Sequence, residues 1–177
     1  MKRLTAAMMA GAVAVLMTAS ASQAQYVFLG GGASIPMGDF KDFAKTGWMA
    51  QAGLGADIGD KGLFIGAEGF YGKNKHKAPD DGDATNIIAG LAAVGYTFMQ
   101  EKSVRPYVLG GAGFLMHQFD PAVGDNETET KFAYTGAVGL GFRAGAKVNL
   151  WLEARFLGTA DTKVLPIMAG LTINFGK

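Results

Sequence analysis

Residues Val164–Phe175 alternate with a period of two. Leu165, Ile167, Ala169, Leu171, Ile173 and Phe175 form one wholly apolar face, and Val164, Pro166, Met168, Gly170, Thr172 and Asn174 form the other. That period predicts a strand, not a helix. Its length, about 10–12 residues, is what a tilted strand needs to cross a bilayer. A long apolar strand cannot leave its backbone N–H and C=O groups bare in lipid, where each unpaired group costs several kcal/mol. Its natural partner is the first alternating stretch, Tyr26–Met37, and that pairing would close a barrel.

The intervening chain supplies the staves. Strands are predicted at Tyr26–Met37, Gly47–Ile58, Leu63–His76, Thr85–Phe98, Val104–Phe119, Lys131–Ala144, Val148–Thr159 and Val164–Phe175. Their connections alternate long and short, with a brief last loop. This is the up-and-down pattern of a membrane barrel. The fold class expected is all-β, an eight-stranded antiparallel up-and-down transmembrane β-barrel. An even strand number returns both termini to one side, expected to be the periplasm.

The N-terminus directs the chain out of the cytoplasm. Lys2 and Arg3 precede an apolar, Ala-rich stretch from Leu4 to Met17, and Ser22-Gln23-Ala24 fits the small-x-small cleavage rule. Residues 1–24 are therefore expected to be a cleaved signal peptide, and residues 25–177 the barrel domain. Losing Lys2 and Arg3 leaves 14 basic and 15 acidic residues, a balance that gives no nucleic acid a basic face to bind. There is no Cys, which excludes disulfides, thiolate metal sites and a Cys nucleophile.

Charge placement fixes the faces. Asp57, Glu68, Arg143, Glu153 and Arg155 lie within strand bodies, each opposite the best apolar stripe of its strand. Lipid demands that charges face the lumen. Glu68 and Arg155 stand at similar heights on strands three and seven, and the interior of eight strands is only wide enough for side chains to fill. They are expected to meet, with Glu153 and Gln51 as further partners, and to plug the lumen. In strand five both parities are equally apolar, so its faces stay open. Trp48, Tyr71, Tyr96, Phe98, Tyr107, Phe132, Tyr134, Trp151 and Phe175 fall towards strand ends, as interfacial girdles do.

Three stretches carry a resemblance: Gly30–Phe40 (GGGASIPMGDF), Arg105–Phe114 (RPYVLGGAGF) and Gly170–Phe175 (GLTINF). With them the chain resembles the outer-membrane β-barrel domain family, the small barrels of OmpA and OmpX type. The resemblance covers essentially all of the chain after the signal. It implies a bacterial outer-membrane location, with outer-membrane lipids, lipopolysaccharide and the barrel-assembly machinery as partners. It also implies a monomer with no cofactor.

Catalytic and metal chemistry find little footing. The histidines are His76 and His117. A lipid A-modifying site would need a rim His with a hydroxyl and a carboxylate. His117, Ser34 and Glu127 or Glu129 are the candidates, but strands one and five lie across the barrel, so two solvated histidines are expected instead. Gly139-x-Gly-x-x-Ala144 lies in a strand and opens no helix, so it is no dinucleotide fingerprint. The function expected is structural or surface interaction through the external loops, without catalysis. The alternatives are a lipid A-modifying enzyme or a narrow pore. Lys73, Lys75 and Lys77 recur at every second position and are expected to meet lipopolysaccharide phosphates. Leu171, Ile173 and Phe175 are expected to form the closing, assembly-directing end, ahead of Gly176 and Lys177.

Overall fold

The computed structural model describes residues 26–79, 82–120 and 127–175. The expected signal peptide, and Gly176 and Lys177, lie outside the described residues. Eight antiparallel strands form a closed barrel in chain order: β1 (Tyr26–Met37), β2 (Gly47–Ile58), β3 (Leu63–Lys75), β4 (Ala84–Thr97), β5 (Val104–Asp120), β6 (Glu127–Arg143), β7 (Val148–Gly158) and β8 (Lys163–Asn174). Closure is made by β1 and β8, in continuous register from Tyr26 opposite Asn174 to Met37 opposite Lys163. Tyr26 and Asn174, the outer ends of β1 and β8, thus lie at one end of the barrel, called here the turn end. The opposite, loop end carries the connections after β1, β3, β5 and β7.

Most strand limits fall within a residue of expectation. The exception is β6, which begins at Glu127, four residues early, and pairs His117, Gln118 and Phe119 of β5 with Glu129, Thr128 and Glu127. The connection after β1, expected to be a polar loop, holds a single helical turn, α1 (Phe40–Phe43), whose Phe40 is buried. At the turn end, Gly59 and Gly62 take the positive φ that the tight β2–β3 turn requires.

The outside of the barrel is apolar. Leu29, Ile65, Val94, Val108, Phe114, Val138, Leu150, Leu152 and Ile167 are all exposed. A band of that kind around a whole molecule suits lipid, not water. Aromatic pairs flank it, with Trp48 5.4 Å from Tyr71 and Tyr96 4.9 Å from Phe98. The open question over β5 is settled by packing. Leu115 is fully buried, so the odd face of that strand points inward, while Val108 and Phe114 face out. Two residues expected in the girdles, Tyr107 and Trp151, face the lumen instead. Trp151 shares the parity of Glu153 and Arg155, and parity outranks aromatic character in a strand.

The interior divides into two halves. In the loop half, Met49, Phe70, Ile87, Leu115, Leu157, Val164 and Met168 pack as one apolar cluster with Phe40 of α1. The turn half is hollow.

Leu171, Ile173 and Phe175 sit on the outward face of the closing strand, and Phe175 is largely exposed. Replacing Phe175 by Ala is expected to lower the folded fraction in membranes, read by heat-modifiable migration, more than loss of Gly176 and Lys177 does. The reverse order would place the assembly signal elsewhere.

Candidate functional site

Three groups of polar side chains occupy the lumen and rim. The first lies at mid-height. Arg155 projects inward from β7 and donates from Nη1 to Glu68 Oε1 at 2.6 Å and from Nη2 to Glu68 Oε2 at 3.0 Å. Its Nε donates to Glu153 Oε1 at 2.7 Å, and Tyr107 Oη donates to Glu153 Oε2 at 2.9 Å. The guanidinium also lies 4.9 Å from the Phe70 ring centroid. Arg155, Glu68 and Glu153 are at most 3% exposed. One planar cation therefore serves two carboxylates, a geometry a lysine could not reproduce. Gln51 departs from expectation. It is buried beside this network, but its Oε1 has no partner.

The second group closes the loop end on one side. Ser34 Oγ donates to Asn74 Oδ1, and Asn74 Nδ2 donates to the carbonyls of Ser34 and Lys45. Ser34 is thus committed to Asn74 rather than to His117. His76, expected to be solvated, is buried. Its Nε2 meets Thr85 Oγ1 at 2.9 Å, and its ring contacts Phe43 and Phe119. The bridge between Ala44 and His76 and the Lys77 N–H···O=C Phe43 bond tie the first two loops together. Lys73 and Lys75 face outward on β3, and Lys73 pairs with Asp120 at 3.2 Å. Lys77 follows the end of the strand and departs from that row. Its Nζ donates to the Lys41 carbonyl.

The third group is at the rim between β5, β6 and the β7–β8 turn. His117 meets Glu129 Oε2 through Nε2 at 3.3 Å and Thr162 Oγ1 through Nδ1 at 3.0 Å. Lys131 bridges Glu129 and Asp161. Its ammonium, donating to Asp161, holds that carboxyl below the usual range, and hydrogen bonds from Lys131 and His117 do the same to Glu129. Thr162 escaped the sequence reading because a threonine in a four-residue turn carries no motif. The chain of hydroxyl, imidazole and carboxylate has the order of a nucleophile, base and orienting group. Yet Thr162 is buried, and its N–H and C=O are both engaged with Thr159 Oγ1, as in a tight side-chain-capped turn.

The sequence matches the family model described as outer membrane protein beta-barrel domain over residues 5–175. The chain belongs to that family. Among solved structures, this outer-membrane barrel is similar to Neisserial surface protein A, at 18% identity and a TM-score of 0.70, covering 85% of this chain and 96% of that one. It is also similar to Ail, the attachment invasion locus protein of Yersinia pestis, at 18% identity and TM-score 0.54, covering 85% and 97%. A third is the N-terminal β-barrel domain of Pseudomonas aeruginosa OprF, at 11% identity and TM-score 0.51, covering 86% and 98%. At such identities the likeness is one of fold. No curated protein sequence matches the chain. Family and fold together make this a bacterial outer-membrane protein that crosses the bilayer with strands.

Proposed function

We propose that the barrel is a non-catalytic envelope protein, inserted as a monomer by the barrel-assembly machinery, that acts by surface contact through its loop end. In this reading the termini are periplasmic and the loop end faces outward. The observation that carries it is the contrast between the two ends. The turn end closes with tight turns, whereas at the loop end the described strand ends and loop residues are cross-tied into a charged surface. A packed apolar cluster beneath that surface argues against a pore, since side chains fill the lumen there.

Tag accessibility tests the orientation. Tags near Asp42, Asp81 or Asp125 are expected to label on intact cells, and tags near Asp60 or Ala146 are not. The reverse pattern would invert the barrel and defeat this reading. A second experiment addresses the outer-leaflet partner. Lys73 and Lys75 offer ammonium groups on the outward face near the loop end, which in this reading meets lipopolysaccharide phosphates. Changing Lys73, Lys75 and Lys77 together to Glu is expected to reduce lipopolysaccharide co-purification without loss of the folded band. Unchanged co-purification would remove lipopolysaccharide as a partner of this row.

An enzyme acting on lipid A is the second reading, and the His117–Thr162–Glu129 chain is the observation in its favour. The burial of Thr162 and its role in the turn favour a clamp that pins the β7–β8 connection to β5 and β6. Mass spectrometry of lipopolysaccharide incubated with the purified barrel separates the two. An altered acyl pattern that Thr162→Val abolishes would establish the enzyme.

A further inference from the structure

The hollow turn half is built, not left over. Five inward aromatic side chains lie in it, and each sits directly across from a glycine on the neighbouring strand: Tyr26 opposite Gly55, Phe28 opposite Gly53, Phe64 opposite Gly95, Tyr107 opposite Gly139 and Trp151 opposite Gly170. A Cβ at any of these glycines would run into the facing ring. The rings therefore lie flat along the wall, seated on bare backbone, instead of standing across the lumen. Gly30, next to Gly170, widens the seat of Trp151. The result is an aromatic-walled chamber of about 180 Å³. The Glu68–Arg155–Glu153 network and the apolar cluster lie on its loop side. Asp57, Thr97, Arg105, Asn149 and Asn174, all near strand ends, place its mouth at the turn end.

The polar atoms of this chamber are unevenly used. Among the described residues, the buried side-chain polar atoms with no partner are Gln51 Oε1, Asn86 Oδ1, Arg105 Nε and Trp151 Nε1. Three of these four residues, Gln51, Arg105 and Trp151, line the chamber. Buried polar groups are nearly always hydrogen-bonded, to protein or to water, so these three residues have bonding capacity left for a molecule held in the chamber. The set is one acceptor and two donors. The deep carboxylates are already bonded to Arg155 and Tyr107 and would repel an anion. The remaining demand is for a neutral molecule that both donates and accepts, with C–H faces to lie against rings.

We propose that the chamber is a blind binding pocket, entered from the turn end, for a neutral polyhydroxylated ligand of monosaccharide size. Hydroxyls meet Gln51 Oε1, Trp151 Nε1 and Arg105 Nε, and the sugar ring stacks on the aromatic wall. The site needs neither the outer loops nor a given orientation in the membrane, so it stands apart from the surface role.

The chain has two tryptophans, and Trp48 faces out. In the full-length barrel carrying Trp48→Phe, folded in detergent, fluorescence reports on Trp151 alone. Titration with glucose, galactose and mannose is expected to give a saturable change with at least one, with half-saturation on the order of 1 mM. Gln51→Leu is expected to weaken it at least tenfold, while Lys45→Gln, at the exposed loop end, leaves it unchanged. If Gln51→Leu does not give the folded band, Gln51→Met takes its place. The proposal is overturned by any of three results. These are the absence of saturation with all three sugars, saturation that the Gln51 variant retains, and saturation only by an anionic sugar acid. The first would leave a chamber that holds water alone.

Discussion

Replacing Arg155 by Met is expected to unfold the barrel more readily than any other single lumen substitution. The guanidinium is the shared partner of Glu68 and Glu153, and all three are buried. Removing one member of a buried ion pair typically costs about 3–5 kcal/mol, because the surviving charge is left buried without its partner. Here two carboxylates are stranded at once, so the loss should exceed that of Glu68→Gln, which leaves Arg155 its bond to Glu153. The double variant Glu68→Gln/Arg155→Met should recover part of the loss, since only Glu153 is then without its cation, and Tyr107 still donates to it. Urea midpoints of the folded band, arranged as a double-mutant cycle, measure the coupling. Additive effects would show that the bidentate contact contributes nothing of its own.

The second large effect is expected at a residue with no side chain. The three atoms nearest a Cβ at Gly139 all belong to the Tyr107 side chain, and a methyl group there would displace that ring. Tyr107 would swing into the chamber and its hydroxyl would leave Glu153. Overpacking of this kind costs about 1–3 kcal/mol. The cost should vanish when Tyr107 is already Leu, so Gly139→Ala/Tyr107→Leu should be no less stable than Tyr107→Leu. Gly145→Ala is the control, because nothing lies within 4 Å of a Cβ there. A Gly139→Ala barrel as stable as the parent would mean that the ring is free to move and the seat is incidental.

The parts of the fold most legible in the sequence are those that lipid constrains. From Leu165 onward every outward position of β8 is apolar, and Glu68 in β3 with Glu153 and Arg155 in β7 mark the inward parity, so faces, closure and the Glu68–Arg155 contact all follow from alternation. The same rule fails where lipid stops acting. Glu127–Thr130 extends β6 beyond the apolar band and has no apolar face to betray it. In β5 the inward Leu109 lines the chamber and Leu115 packs in the apolar cluster, so both faces read as lipid-like. Trp151 and Tyr107 were legible by parity, but their closeness to strand ends favours the girdle reading. The seats of the rings were hidden for another reason. A glycine seat depends on which residue lies opposite across the ladder, and register is not visible in one strand taken alone. Contacts such as Thr162 with His117 depend on loop geometry, which leaves no periodic trace.

The continuous register between β1 and β8 has a consequence for the order of the strands along the chain. Tyr26 and Asn174 are direct ladder partners, so the outer ends of the first and last strands meet at one rim. Joining them with a short linker and cutting instead between Gly59 and Gly62 would yield a permuted chain that begins at β3 and ends at β2, with every ladder preserved. In the finished ring no stave is first or last.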